Sequence, residues 1–133
     1  MNLLSEPRWV PAIAVTAMHH QQILEHGGLQ GIRSQSTLEA ALARPQQRWS
    51  YGELQSIPAI AAAYAEAIVR AHPFSDGNKR KGLLVALVFL GLNGCAFNAS
   101  NESVVSTIRR LAAGDLAGPD LEAWFNSHCG SRE

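Results

Sequence analysis

Residues 57–92 read IPAIAAAYAEAIVRA, HPFSDG and NKRKGLLVALVFLGL, two apolar stretches separated by a short polar segment. In the first stretch, apolar side chains recur at the spacings that place them on one helical face. Pro73 disfavours helical geometry in the residue before it, so we expect this helix to stop at His72. The second stretch, about 78–92, is apolar on most sides, as in a helix at the centre of a domain. The pattern predicts two central helices joined by a tight loop at 73–77.

The flanking sequence predicts more helices around this pair. Ser36 and Glu39 have the spacing of a capping box, which predicts a short helix that ends before Pro45. Segment 46–56 has no helical stripe and predicts an exposed connection. The other predicted elements are a helix at 11–26 ended by Gly27 and Gly28, an extended link at 95–98, and helices at 101–113 and 119–128. We therefore expect an all-α bundle of about six helices, with residues 1–133 forming one domain.

Composition excludes several classes of protein. The chain has 133 residues, of which 47% are hydrophobic and 17% charged, which favours one folded core over disorder. Eleven basic residues balance eleven acidic ones, so neither nucleic-acid nor membrane-surface binding is expected. The longest apolar run, 83–92, is about half the roughly 20 residues that a membrane span needs. Because the first residues lack a signal-peptide pattern, we expect a cytoplasmic protein.

The two cysteines, Cys95 and Cys129, lie far apart in the sequence. Neither has a second Cys or His at the spacing of a metal finger. We interpret them as two ordinary thiols in a reducing compartment, without a catalytic role.

The polar segment carries an unusual concentration of positive charge. Residues 70–82 contain both lysines of the chain and four of its eleven basic residues. Lys79, Arg80 and Lys81 fall in the first turn of a predicted helix, where unpaired backbone N–H groups already carry about half a positive charge. Three cations there cost stability unless an anion binds, and Gly77 lets the backbone approach a ligand. The segment predicts a phosphate cradle, most readily for a nucleotide.

Two neighbouring residues supply the groups that phosphate chemistry needs. Asp76 offers hard oxygen ligands for Mg²⁺, and His72 can accept a proton near neutral pH. Alone, a histidine at a helix end is more often a cap or a core residue, and an aspartate in a loop more often makes a turn. Together with the cradle they indicate phosphoryl-type transfer, in which positioning supplies most of the catalysis.

Residues 72–80, HPFSDGNKR, resemble the signature of the Fic/Doc superfamily, His-x-Phe-x-Asp/Glu-Gly/Ala-Asn-Gly/Lys-Arg. The likeness extends from about residue 10 to residue 128 and is greatest to the death-on-curing (Doc) branch. It implies an all-α Fic fold with the motif loop between two central helices. Because no Ser or Thr is followed four residues later by Glu, the inhibitory helix of many Fic proteins is absent from the sequence. The resemblance then implies inhibition by a small antitoxin acting in trans.

The resemblance also implies roles for individual residues. His72 would be the catalytic base, Phe74 would anchor the loop in the core, and Asp76 would help to bind Mg²⁺. The residues implied in holding the ATP phosphates are Gly77, Asn78, Lys79 and Arg80, with Arg80 the main charge partner and Arg70 assisting. Segment 46–53 resembles the flap that docks the target protein, through Trp49 and Tyr51, although both side chains could equally serve in packing.

The residue after the motif Asn separates two chemistries in this superfamily. Lysine, as at Lys79, is typical of Doc toxins, which the family account describes as kinases that transfer the γ-phosphate of ATP to a threonine of elongation factor Tu and thereby arrest translation. Gly77 is the form shared with relatives that transfer AMP, so AMP transfer stays open. Lys81 and Gly82 stand where Doc-like chains commonly have Thr-Ala. Lys81 either adds a phosphate contact or faces solvent.

Other classes of function fit less well. All-α metal phosphohydrolases need an adjacent His-Asp pair, which the sequence lacks. A non-catalytic phosphate or nucleotide binder would have no use for a proton acceptor at His72. A metal site at His19, His20 or His26 is disfavoured because consecutive residues point to different faces of a helix.

Overall fold

The computed structural model describes residues 5–26, 32, 34–75, 77–116 and 118–131. Within these ranges the regular elements are six helices and one pair of short strands, which confirms the predicted all-α fold. None of the described helices is long and apolar enough to cross a membrane. The elements are α1 (Ala12–His26), α2 (Gln35–Ser50), α3 (Ile57–Ala71), α4 (Asn78–Leu92), β1 (Cys95–Phe97), α5 (Asn101–Ala113), α6 (Gly118–His128) and β2 (Cys129–Ser131).

Helices α3 and α4 form the centre of the molecule, with the bounds that the sequence predicts. Their backbones approach closely at Gly82, where a Cβ would lie 3.0 Å from the Ala65 carbonyl oxygen and 3.2 Å from Val69 Cγ2. Glycine at position 82 therefore permits this approach. Further along the interface the rings of Tyr64 and Phe89 lie 5.1 Å apart, and both side chains are buried. The close packing of α3 and α4 fixes the positions of the two ends of the loop that joins them.

The prediction for α2 is wrong at both ends. Ser34, and not Ser36, is the N-cap, and its hydroxyl accepts a hydrogen bond from the Thr37 backbone N–H at 3.2 Å. The helix also continues through Pro45 to Ser50. Proline removes one backbone hydrogen bond from a helix, but Pro45 is buried in the core, and tertiary packing overrides the local preference. Residues 46–50 are therefore helical, and the connection is shorter than predicted.

The prediction of two free thiols is also wrong. Cys95 and Cys129 form a disulfide, with their Cα atoms 5.3 Å apart. Strands β1 and β2 pair antiparallel, with Cys95 opposite Ser131 and Phe97 opposite Cys129, so the two cysteines lie on neighbouring strands at opposite ends of the pairing. This pairing joins the chain after α4 to the chain after α6, a contact across 34 residues that local sequence patterns do not reveal. The cysteines of this protein therefore do not indicate a reducing compartment.

Breaking this disulfide is expected to lower the free energy of unfolding. For a closed loop of 34 residues, the loss of chain entropy in the unfolded state corresponds to about 3–4 kcal/mol. Guanidinium unfolding followed by circular dichroism, with and without a dithiol reductant, measures the effect. In the double variant Cys95→Ser/Cys129→Ser the reductant should change nothing. An unchanged midpoint for the wild-type protein in reductant would contradict the prediction.

Candidate active site

The junction between α3 and α4 carries the predicted catalytic histidine. His72 is the C-cap of α3, in the left-handed region with φ 50° and ψ 54°. Among the described residues it is the one non-glycine with positive φ. Such a conformation costs on the order of 1 kcal/mol and is concentrated at functional sites. It turns the chain out of α3 and leaves the His72 side chain exposed.

The buried side chain of Asn78, at the start of α4, organises the loop. Its Oδ1 accepts a hydrogen bond from the Phe74 backbone N–H at 3.0 Å, and its Nδ2 donates to the Phe74 carbonyl at 3.0 Å. Nδ2 also lies 3.1 Å from His72 Nδ1. Because the Phe74 N–H fixes the orientation of the amide, Asn78 donates to His72. One side chain thus holds both the loop backbone and the imidazole ring.

This contact defines the resting state of His72. A neutral imidazole that accepts at Nδ1 carries its proton on Nε2. In this contact Nδ1 faces Asn78, so a substrate hydroxyl reaches Nδ1 only after the ring turns away from Asn78. Asn78 therefore holds the imidazole ring in its resting orientation.

Phe74 fixes the loop from the side of the core, as expected. Its side chain is 1% exposed. The Phe74 backbone forms an antiparallel bridge with Ile32, and the Ser34 N–H donates to the Pro73 carbonyl at 3.3 Å. The ring of His19, from α1, lies 4.7 Å from the Phe74 ring. The loop is therefore held by α1, by the chain before α2 and by α4.

The first turn of α4 presents a set of hydrogen-bond donors and cations. Its N-cap is Gly77, in the left-handed conformation at φ 72°, which has no side chain to cap the backbone N–H groups. Lys79 is half-buried and Arg80 is exposed in this turn, while Arg70 is exposed in the last turn of α3. Free N–H groups together with basic side chains are suited to an anion. The expectation that Lys81 faces solvent is wrong, because its side chain is only 7% exposed. The alternative, a phosphate contact from Lys81, stays a prediction.

The structure describes only some of the residues considered as metal ligands. Asp76 lies outside the described residues. Within the described part of the chain no group of three or more potential ligands is placed to hold a metal ion. His19 is buried and His20 is exposed, in agreement with their different helix faces. The side chain of His26 lies outside the described set.

The expected flap at 46–53 is wrong in its conformation, since residues 46–50 belong to α2. Docking of a target protein through Trp49 and Tyr51 stays a prediction. Trp49 is half-buried, and its ring lies 5.7 Å from that of Trp9, which favours packing. Tyr51 is 81% exposed. Both are at the C-terminal end of α2, a helix of 16 residues and about 24 Å whose other end contacts the motif loop. Sequence reasoning missed the extended chain at Ile32 and Ser34, which pairs with the loop and follows a glycine-rich stretch.

A groove of about 1050 Å³ runs beside the site along α2, α3 and the start of α6. Its surface combines alanine side chains with charged ones, and Arg48 pairs with Glu53 at 3.4 Å. One end lies at Arg70, two residues before His72. Its charged lining residues are Arg44, Arg48, Glu53, Glu66, Arg70 and Glu122.

Comparison with known proteins adds a family and two relatives. The model of the Fic/DOC family matches residues 9–90. The chain is 35% identical over 111 residues to "Protein kinase doc" of Escherichia phage P1, which covers 71% of this chain and 88% of that protein. It is 39% identical over 71 residues to "Toxin Doc" of Mycolicibacterium smegmatis, which covers 51% of this chain and 53% of the relative.

Proposed function

Because this chain belongs to the Fic/DOC family, we propose that it is a Doc-type toxin and a protein kinase. In this proposal it transfers the γ-phosphate of ATP to a Ser or Thr hydroxyl of a bacterial translation factor, elongation factor Tu, in the cytoplasm. The observation that carries the proposal is the α3–α4 junction, where the exposed His72 stands beside a helix N-terminus lined by Lys79 and Arg80. The relatives named as a kinase and as a toxin support the same assignment.

The phosphates of ATP are held at the first turn of α4 in this proposal. Arg80 is the main charge partner, with Lys79 beside it and Arg70 approaching from the end of α3. Gly77 lets the backbone come close to the phosphates. The side chain of Asn78 is engaged inside the loop, so Asn78 contributes its backbone N–H. Oriented N–H groups and cations stabilise the charge that spreads over the phosphoryl oxygens during transfer.

His72 acts as the general base. Its ring takes the proton of the target hydroxyl, the hydroxyl oxygen forms a bond to the γ-phosphorus, and the bond to the β-phosphate oxygen breaks to release ADP. Because His72 is exposed, a protein substrate reaches the imidazole once the ring has turned away from Asn78. A positioned base of this kind contributes about 10²–10⁴-fold to the rate.

Mg²⁺ is the expected cofactor, and a bound Mg²⁺ neutralises charge on the phosphate oxygens. Asp76 is the residue that we propose to hold it, on the basis of the sequence signature. The oxygen ligands of a carboxylate are the kind that Mg²⁺ prefers.

AMP transfer to a protein hydroxyl is the second candidate. It is favoured by Gly77, which the AMP-transferring branch shares. The left-handed φ of 72° at this position suits glycine and strains alanine. The side chain of Lys79 beside the cradle favours the kinase.

We further propose that a small antitoxin regulates the protein in trans. The groove along α2, α3 and α6 is a suitable surface, because Arg44 and Arg70 line it and Arg70 lies two residues before His72 in the chain. A partner seated there would cover the approach to His72.

The test is incubation of the protein with Mg²⁺-ATP and a bacterial translation extract, followed by intact-mass analysis of elongation factor Tu. The proposal predicts a gain of about 80 Da, the mass of one phosphoryl group. A gain of about 329 Da on any protein, one AMP, would establish the second candidate instead. Absence of any modification by a folded sample free of antitoxin would contradict both and leave a non-catalytic binder.

A further inference from the structure

We propose that Cys95 and Cys129 form a reversible redox site that controls how firmly the C-terminal end of α6 is held. The site is a disulfide under oxidising conditions and a pair of thiols in a growing cell. This inference rests on the proposed function, because a toxin that acts on a translation factor works where cellular thiols keep cysteines reduced. Disulfides that form in that compartment are usually transient and respond to redox conditions. The fold nonetheless places the two cysteines at bonding distance, with their Cα atoms 5.3 Å apart.

The surroundings of the disulfide make one of its two sulfur atoms the better site for exchange. Cys95 is 9% exposed, whereas Cys129 is half-buried and is followed by the exposed Gly130. Each strand of the β1–β2 pair has three residues, and one pair of strands alone is only marginally stable. An external thiol therefore reaches Cys129 more readily than Cys95.

Reduction occurs by exchange with a small thiol of the glutathione class. Its thiolate attacks Sγ of Cys129 and forms a mixed disulfide, while the bond to Cys95 breaks and the Cys95 thiolate takes up a proton. A second external thiolate attacks the external sulfur of the mixed disulfide and releases the Cys129 thiolate, which is protonated in turn. The protein gains two electrons and two protons, and the two external thiols leave as one disulfide. The reverse steps close the bond when the external disulfide is abundant.

The cross-link adds to weak contacts at the end of α6. Leu121 and Phe125, in the middle of the helix, are fully buried and should keep it docked in either redox state. Beyond them, the rings of Phe97 and His128 lie 5.9 Å apart, and the Asn98 N–H donates to the His128 carbonyl at 2.9 Å. After reduction, contacts of this kind and the short strand pairing must retain the chain end. Reduction is therefore expected to loosen β2 and the last turn of α6 first.

Helix α6 connects the redox site to the groove beside the candidate active site. Its N-terminal half lines that groove through Gly118, Pro119 and Glu122. The Glu66 carboxylate of α3 lies against the start of the helix, because a Cβ added to Gly118 would be 2.5 Å from Glu66 Oε1. The helix has 11 residues and is about 16 Å long, so its loosened end is close to the groove wall. The oxidised form is expected to have the more rigid wall, on the surface that we propose for the antitoxin.

The first experiment traps the cysteines of the full chain in bacterial cells. His72→Ala is expressed so that transfer does not arrest growth, and Cys95→Ser/Cys129→Ser in the same background is the control. Cells are quenched in acid, free thiols are alkylated, and intact mass counts the alkyl groups before and after brief treatment with diamide, which oxidises glutathione to its disulfide. We expect both cysteines to be alkylated in growing cells and neither after diamide. The control should never be alkylated.

The second experiment measures amide hydrogen exchange of the purified wild-type protein in oxidising and reducing glutathione buffers. Labelling times are kept too short for α4 to exchange, so that only local opening is observed. Reduction should speed exchange at residues 126–131 by about 10-fold or more. The double serine variant should exchange at the faster rate in both buffers.

A disulfide that persists in growing cells would overturn this inference, because the bond is then permanent and structural. Thiols that persist after diamide would overturn it as well, and so would reduction that leaves exchange at residues 126–131 unchanged. None of these outcomes affects the proposed function, which depends on the mass gained by the target protein. A chain that shows the redox change and transfers nothing would overturn the proposed function and leave the redox site standing.

Discussion

His72→Ala is expected to lower the rate of phosphate transfer by about 10²–10⁴-fold, the contribution of a positioned general base. The side chain is exposed and contacts Asn78 at 3.1 Å. Histidine tolerates the left-handed conformation somewhat better than alanine, but the difference is small against the stability of a domain, so the fold should survive the change. Initial rates from intact-mass analysis of the target protein measure the effect.

His20→Ala is the matched control for this prediction, because His20 is an exposed histidine on α1, away from the motif. It should transfer phosphate at the wild-type rate. His72→Ala should still bind Mg²⁺-ATP, since the proposed phosphate contacts come from Gly77, Lys79 and Arg80. Transfer by His72→Ala at the wild-type rate would remove the histidine from the mechanism. Loss of both transfer and nucleotide binding would assign it to the cradle.

Asn78→Ala is expected to cost about 2–4 kcal/mol of stability and at least about 100-fold in transfer rate. The substitution removes the two hydrogen bonds to the Phe74 backbone and the contact that orients His72. The buried N–H and C=O groups of Phe74 are then left without these partners, which accounts for the loss of stability. Without these hydrogen bonds the loop no longer holds His72 in place beside the first turn of α4, which accounts for the loss of rate.

The other end of α4 supplies a matched control. Asn93 also makes three side-chain hydrogen bonds, accepting from the Arg8 N–H at 2.8 Å and donating to the carbonyls of Arg8 and Phe89 at 2.9 Å each. Asn93→Ala should therefore lose a comparable amount of stability and keep its transfer rate, measured at a temperature where both variants are folded. Equal losses of rate in the two variants would show that Asn78 acts only through stability.

The central helices could be predicted because their signals are local. Apolar periodicity, Pro73 and Gly77 set the bounds of α3 and α4 from neighbouring residues alone. The end of α2 could not be predicted in this way, because burial of Pro45 depends on what α2 packs against. The disulfide between Cys95 and Cys129 depends on strand pairing across 34 residues, which no local pattern encodes.

The sequence signature was enough to predict which residues lie at the α3–α4 junction. It was not enough to predict the direction in which each side chain points. His72, Lys79 and Arg80 stand at the junction as the motif implies. Consecutive helical residues turn by about 100°, so three successive cations cannot all face one ligand, and this geometry contained the signal that Lys81 points inward. Trp49 and Tyr51 could not be placed because α2 continues through Pro45 to Ser50, beyond its predicted end.

The disulfide makes residues 95–129 a closed covalent ring that contains both α5 and α6. The exposed turn at Gly114 and Asp115 lies inside this ring. A protease that cuts the turn once therefore does not release α6, because both pieces stay joined through Cys95 and Cys129. The nicked molecule keeps α6 tethered beside α3. Degradation that begins at this turn proceeds to loss of the C-terminal helix only after the sulfur–sulfur bond has been reduced.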